Sequence, residues 1–236
     1  MEYSFSKDKI WFLGRSYQEY MSMFKLDPEF LKNKTILDCA AGASSFTPVM
    51  GNHGCDIIAL DPLYGINYNE AKERSINDFQ TLIKAHSGLE CKVDWNFFQN
   101  SKKMIEERMK ACKEFIDDYK VFKGLRYIKG KLPQLPFANN QFSLTLCSHL
   151  LFLYDDRLDY QFHLESIQEM LRVTTGEVRI YPLVNLQGNG EKSHFVNRIK
   201  EDLTNEANVG IVEVDYRFRK GGNEMMKIKG NNNNNN

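Results

Sequence analysis

The sequence predicts an α/β fold: a mostly parallel seven-stranded sheet with an antiparallel edge strand, plus helical additions. Three observations carry that prediction. Short apolar runs alternate with amphipathic helical stretches from Lys34 onward. Two of the first runs end in aspartate, at Asp38 and Asp61. A turn at Gly221, Gly222 and Asn223 joins the last two runs too tightly for a parallel crossover, so that pair must be antiparallel.

Element by element, Ser16 and Glu19 stand at capping-box spacing, and Tyr17, Tyr20, Met21 and Phe24 follow at helical spacing. A helix therefore begins there. Asp27 before Pro28 restarts a second short helix, because aspartate caps exposed N–H groups and proline fits the first turn. KTILDCAAGASSF reads as strand, small-residue turn and then a helix containing Pro48, and GCDIIALDP repeats the strand signal. Two parallel strands joined by a helix satisfy both segments. From residue 63 to 123 the chain is polar and helical, with one stripe at Ile76, Phe79 and Ile83 and another at Ile105, Met109, Cys112, Ile116 and Tyr119. That is too long for one crossover helix and is expected to be an insertion. Strands return at LRYIKG and FSLTLCSHLLF; helices around Ile167 and Ile199 then lead into GEVRIYPLV and GIVEVDYRF, before the closing EMMKIK. The expected organisation is one domain over 1–230, with an N-terminal helical cap over 1–33, the helical insertion over 63–123, and a low-complexity asparagine tail over 231–236.

Composition narrows the function classes. With 236 residues, 42% of them hydrophobic, the chain can bury one sizeable core. Its 31 basic and 31 acidic side chains give no general field for nucleic acid or an anionic membrane, so neither partner is expected. No apolar run approaches the roughly 20 residues that span a bilayer, and MEYSFSKDKIWFLG lacks the apolar stretch of a signal peptide, so the expected location is the cytoplasm. Cys39, Cys55, Cys91, Cys112 and Cys147 are odd in number and scattered, and the five histidines are equally dispersed; neither a disulfide framework nor a metal site is expected.

The turn after the first strand carries the chemistry. In an open α/β sheet, ligands bind beyond the carboxyl ends of the strands, and small residues let a ligand approach the backbone. Asp38, Ala40, Ala41, Gly42, Ala43 and Ser44 offer such a turn, and Asp61 supplies a carboxylate that can accept from both hydroxyls of a ribose. A dinucleotide pyrophosphate wants GxGxxG at a helix N-terminus; this turn has one glycine, preceded by an acid. An adenosyl ligand with a positive ammonium and no phosphate suits it better.

On these residues, the chain from about Lys34 onward resembles the class I S-adenosylmethionine-dependent methyltransferases, which have a Rossmann-like fold. More narrowly, GRSYQEY, DCAAGASSF, DPLY, LPQLPF, CSHLLFLYDD and EVRIYPL together resemble a bacterial subfamily of unassigned substrate. The resemblance implies S-adenosylmethionine as cofactor, with Asp38, Ala40 and Gly42 at its methionine end, Asp61 on the ribose, Pro62 bordering adenine, and Cys147 and Ser148 near the methyl group. The chain departs from the family at Ala40 and Ser44, where glycines are usual, at Lys131, where an acid is common, and at Ser143, where an aspartate is common. With Lys131 in that place, adenine recognition falls to Leu132 or to backbone groups.

His149 follows the fourth strand, where it could take a proton from a nucleophile or orient substrate; the alternative is a structural histidine. His163 shares a face with Leu164, Ile167 and Met170 and reads as a satisfied core histidine, and Cys147 as a buried, inert thiol. Arg15, Tyr17 and Tyr20 could close over cofactor or substrate. The expected reaction is methyl transfer to a small-molecule acceptor, and the N-terminal helix and the 63–123 insertion are expected to cover the acceptor pocket. A non-catalytic cofactor-binding or interaction protein is the alternative from another class, and a nicotinamide-dependent dehydrogenase is disfavoured by the missing GxGxxG.

Overall fold

In a computed structural model that describes residues 10–86, 93–187 and 190–231, the helix caps legible in the sequence are made as hydrogen bonds. Glu19 N–H donates to Ser16 Oγ at 3.2 Å and Ser16 N–H to Glu19 Oε2 at 2.8 Å, closing the capping box of α1 (Tyr17–Met23). Asp27 accepts from Phe30 N–H at 2.8 Å and starts α2 (Pro28–Leu31) with proline in its first turn. Next come β1 (Thr35–Cys39), α3 (Phe46–Asn52) and β2 (Asp56–Asp61). A 3-10 turn (Pro62–Gly65) leads to α4 (Tyr68–His86) and α5 (Ser101–Phe122), and then to β3 (Tyr127–Lys129) and β4 (Phe142–Ser148). The chain finishes with α6 (Tyr160–Arg172), β5 (Thr174–Tyr181), α7 (Phe195–Asp202), β6 (Ala207–Glu213) and β7 (Glu224–Gly230).

The seven strands lie in the order β3-β2-β1-β4-β5-β7-β6. All the pairings are parallel except those of β7, which runs antiparallel to both β5 and β6. The Rossmann-like sheet of the sequence prediction is therefore present, its reversed strand sitting at the β6 edge one position in from the end. From β1 the sheet progresses one way through β2 and β3 and the other way through β4 and β5, which places the switch point between β1 and β4.

Period-2 alternation sorts the strand side chains between two helical layers. Leu37, Cys39 and Cys147 join the layer of α6 and α7 through Ile167, Met170 and Ile199. Ile36, Leu144 and Leu146 join the opposite layer, where Tyr20, Met23 and Phe24 of α1 and Phe46 and Met50 of α3 pack. Helix α1 is thus part of the core, and its aromatic rings are continuous with α3: Tyr20 stacks on Phe46 with centroids 4.7 Å apart.

The polar stretch 63–123 forms the 3-10 turn and helices α4 and α5 in its described residues. Its second stripe is rotated from the predicted one. Met109 is 58% exposed, while Met104, Arg108, Ala111, Cys112, Phe115, Ile116 and Tyr119 are buried. The reason is Arg108, a charged side chain that turns inward because Glu19 of α1 waits for it, 2.8 Å from Nη2. Cys91 lies outside the described residues.

Candidate functional site

The turn 40–45 beyond β1 is locked from three sides. Gly42 N–H donates to Asp61 Oδ2 at 3.2 Å, and the Tyr64 hydroxyl donates to the Gly42 carbonyl at 2.6 Å. Asp61 Oδ1 in turn accepts from Leu63 N–H at 2.9 Å. The DPLY segment is therefore a clamp on the turn. Over the top runs a strap, residues 10–15, paired to the turn by Ala43 N–H to the Leu13 carbonyl at 3.3 Å and Ser45 N–H to the Arg15 carbonyl at 3.0 Å. Contact is so close that a Cβ on Gly14 would lie 1.9 Å from the Ala43 oxygen, and one on Gly42 would lie 2.4 Å from the Leu13 oxygen. Gly42 also has a φ of +59°, and so does Ala40 within two degrees, at +57°.

Between strap, turn and strand ends lies a cavity of about 390 Å³. Of the residues proposed from sequence, Ala40, Gly42, Asp61, Pro62, Leu132, Ser148 and His149 line it together. Asp38 and Cys147 do not, and the alternation of β1 and β4 is the reason. Asp38 points into the α1–α3 layer, fully buried, and accepts from the Tyr20 hydroxyl at 3.0 Å and the Thr47 hydroxyl at 3.2 Å. Cys147 faces the α6 layer, where burial pushes its thiol up to about 12. Tyr20 and Arg15 reach the cavity, whereas Tyr17 stacks on Phe46 outside it. From 63–123 only Leu63 and Arg74 line the cavity among the described residues. The remaining cover comes from the strap and the segment after β4, with Leu153, Tyr154 and Phe162. Sequence reasoning missed these, along with Cys39, Gly14 and the strap; the glycine of GRSYQEY was the available signal.

Burial dominates the electrostatics at the strand ends. It raises Asp61 to about 6, against the opposing pull of the Leu63 and Gly42 amides, and Asp38 to about 7, against its bonds to Tyr20 and Thr47. His149 is depressed well below its usual value, first by burial and then by the guanidiniums of Arg15, Arg108 and Arg219. Its Nδ1 lies 2.7 Å from Ser148 Oγ, its N–H donates to the Tyr181 carbonyl at 2.7 Å, and its ring meets the edge of Tyr181.

Tyr20 gives its proton to Asp38. The Ser148 hydroxyl and His149 Nδ1 share one hydrogen bond in which either atom can be the donor, and in the tautomer where Nδ1–H donates, Nε2 keeps a free lone pair. By contrast His163 is spent structurally: its Nε2 accepts from Phe152 N–H at 2.9 Å and Nδ1 bonds the Asp159 carbonyl at 2.7 Å.

No protein-family model matches the chain. It is 37% identical over 230 residues to the uncharacterized protein MJ0045 of Methanocaldococcus jannaschii, covering 97% of this chain and 100% of that protein. That relative is archaeal, so it lends no support to the bacterial subfamily of the resemblance. Among solved structures, the TehB-like SAM-dependent methyltransferase from Corynebacterium glutamicum is similar with a TM-score of 0.47 and 11% identity, over 91% of this chain and 86% of its own. N-methyltransferase NodS from Bradyrhizobium japonicum, in complex with S-adenosyl-L-homocysteine, gives 0.44 and 12% over 83% and 76%. At TM-scores below 0.5 these are distant likenesses.

Proposed function

The chain belongs to the family of the Methanocaldococcus jannaschii protein, and we propose that it is an S-adenosylmethionine-dependent methyltransferase acting on a small-molecule acceptor. One observation carries the reading: a bare, left-handed Gly42 held against the Asp61 carboxylate at the switch point of the sheet. The residues fit the cofactor. Each Asp61 oxygen accepts one amide and keeps acceptor capacity for a ribose hydroxyl. Pro62 and Leu132 supply apolar wall for adenine, and Ala40 and Gly42 line the part of the cavity that would take the methionine end. When bound, S-adenosylmethionine would supply an electrophilic sulfonium methyl group. The chain's own part is to position the acceptor and exclude water. Neutral His149, in the tautomer whose Nδ1–H donates to Ser148, is suited to take a proton at Nε2 from an acceptor that arrives protonated. Ser148 bonds its Nδ1, and enclosure by the strap and the segment after β4 favours a small acceptor.

Calorimetry with S-adenosylmethionine tests the site directly. Asp61→Ala should weaken binding by about tenfold or more, since a hydrogen bond to a charged group contributes about 1.5–3 kcal/mol, and Gly42→Val should weaken it as well, because its Cβ would meet the Leu13 oxygen at 2.4 Å and push the strap off the turn. Because the ionised Asp61 is the better acceptor and titrates near 6, wild-type affinity should hold above pH 7 and fall as pH drops through about 6. Unchanged affinity in both folded variants refutes the assignment. Labelled methyl cofactor incubated with cell extract then reports transfer, and binding without transfer would mark a non-catalytic cofactor-binding protein instead.

A further inference from the structure

Arg15 lines the same cavity as His149. Arg15, Arg108 and Arg219 all depress that imidazole, and among the described residues Glu19 is the carboxylate that pairs with Arg15 and Arg108. Arg15 lines the cavity with its Nε buried and lacking a hydrogen-bond partner. Its nearest carboxylate oxygen, Glu19 Oε1, is 3.9 Å away. That oxygen is already engaged: it accepts from Arg108 Nη2 at 2.8 Å, from Arg108 Nε at 3.3 Å and from the Tyr216 hydroxyl at 2.5 Å. Arg108 is 1% exposed and still has an unpartnered Nη1, packed against the faces of Phe98 and Phe218. Arg219 bonds a neutral acceptor, the Leu186 carbonyl, at 3.1 Å. The neutral polar groups against the ring are the Ser148 hydroxyl at Nδ1 and the phenol of Tyr181, which burial keeps protonated.

Buried cations without partners are costly, and a guanidinium fork matches carboxylate and phosphate oxygens. The proposed cofactor does not repair the imbalance. Its sulfonium and ammonium outnumber its one carboxylate, so the site stays positive even where that carboxylate meets Arg15.

We infer that the acceptor is an anion, a small molecule whose carboxylate or phosphate group seats against Arg15 beside His149. Arg108 and Arg219 set the positive field behind that seat. Neutral molecules of the same shape are rejected because they leave the field uncompensated. This deepens the methyltransferase reading and rests on it for the word acceptor.

Calorimetry on the full chain, with and without S-adenosylhomocysteine, tests the inference using benzoate, phenyl phosphate and benzamide as probes. At least one acid should bind about tenfold or more tightly than benzamide, and the better of the two names the source of the charge. Arg15→Gln and Arg219→Gln should each cut that preference severalfold, and Arg15→Lys should restore part of it. Should either variant fail to fold, wild-type protein still decides. Raising salt from about 0.05 to about 0.3 M should weaken the acids and leave benzamide unchanged. Equal affinity for acid and amide, no binding of either acid, or a preference untouched by salt overturns the inference. Absence of S-adenosylhomocysteine binding with the acid preference intact overturns the methyltransferase reading alone.

Discussion

His149 illustrates how much of one residue's chemistry its neighbours decide. Its backbone sits at φ 56°, a region a non-glycine residue occupies only when surrounding bonds hold it, here the N–H to the Tyr181 carbonyl and the ring to Ser148. From the sequence alone a rise in rate near the ordinary histidine pKa is the natural expectation. Burial and three guanidiniums move that rise to acid pH. The sign follows from the shift: a lowered pKa leaves the ring neutral, and competent as a base, at pH 6.5 and above, and competence is lost only as pH falls through the depressed value. His149→Ala should therefore lower turnover about 100-fold while sparing cofactor affinity. In Asp38→Asn, which removes the other group titrating near 7, the rate should be flat from about pH 6.5 to 8. A rise centred near 6.5 that persists in Asp38→Asn at saturating S-adenosylmethionine, where the Asp61 effect on affinity drops out, would mean that His149 keeps an ordinary pKa.

At the scale of elements, the decisive contact joins α1 to α5. Glu19 closes the capping box of α1 with Oε2 and receives Arg108 on Oε1, so one carboxylate both starts a helix and anchors the insertion to it. Removing Arg108 alone would strand a fully buried carboxylate. Arg108→Ala should cost about 3–5 kcal/mol in urea unfolding, and the Glu19→Gln, Arg108→Met pair should recover most of it. A loss below about 1 kcal/mol would show that the pair is solvated. The caps of the N-terminal helices were legible because their partners lie within four residues: Ser16 with Glu19, Asp27 with Phe30. Arg108 was not, since its partner is 89 residues away and a lone arginine beside Met109 looks solvated. For the same reason the N-terminal segment read as a detachable cover, although Tyr20, Met23 and Phe24 are core. Truncation would therefore remove part of the core as well as part of the cavity wall, and point changes in the strap are the cleaner probe of closure.

Across the whole molecule, strand order brings the ends of β1, β2 and β4 to one cavity, and the acid and small-residue signals at those ends made most of its floor readable in the sequence. Its roof was unreadable. Pairing of the strap 10–15 onto the turn and the fold of the segment after β4 depend on contacts between distant parts of the chain. Those same contacts separate the two nucleotide cofactors the fold class admits. A pyrophosphate needs free amides at the turn, and here five of them are spent. Ala41 donates to the Leu60 carbonyl, Gly42 to Asp61, Ala43 to the Leu13 carbonyl, Ser45 to the Arg15 carbonyl and Phe46 to Ser44 Oγ. NAD would have to break this set and meet the Asp61 carboxylate as well, whereas S-adenosylhomocysteine has no phosphate to place. S-adenosylhomocysteine at about 100 times its Kd should stabilise the native state by about 2.7 kcal/mol, which for a chain of this length raises Tm by about 5–11 °C. NAD at the same concentration should leave Tm where it is. Differential scanning calorimetry at fixed pH and salt reads both arms, and an NAD shift equal to or larger than that of S-adenosylhomocysteine would mean that the turn opens to a phosphate and that the dehydrogenase reading takes over.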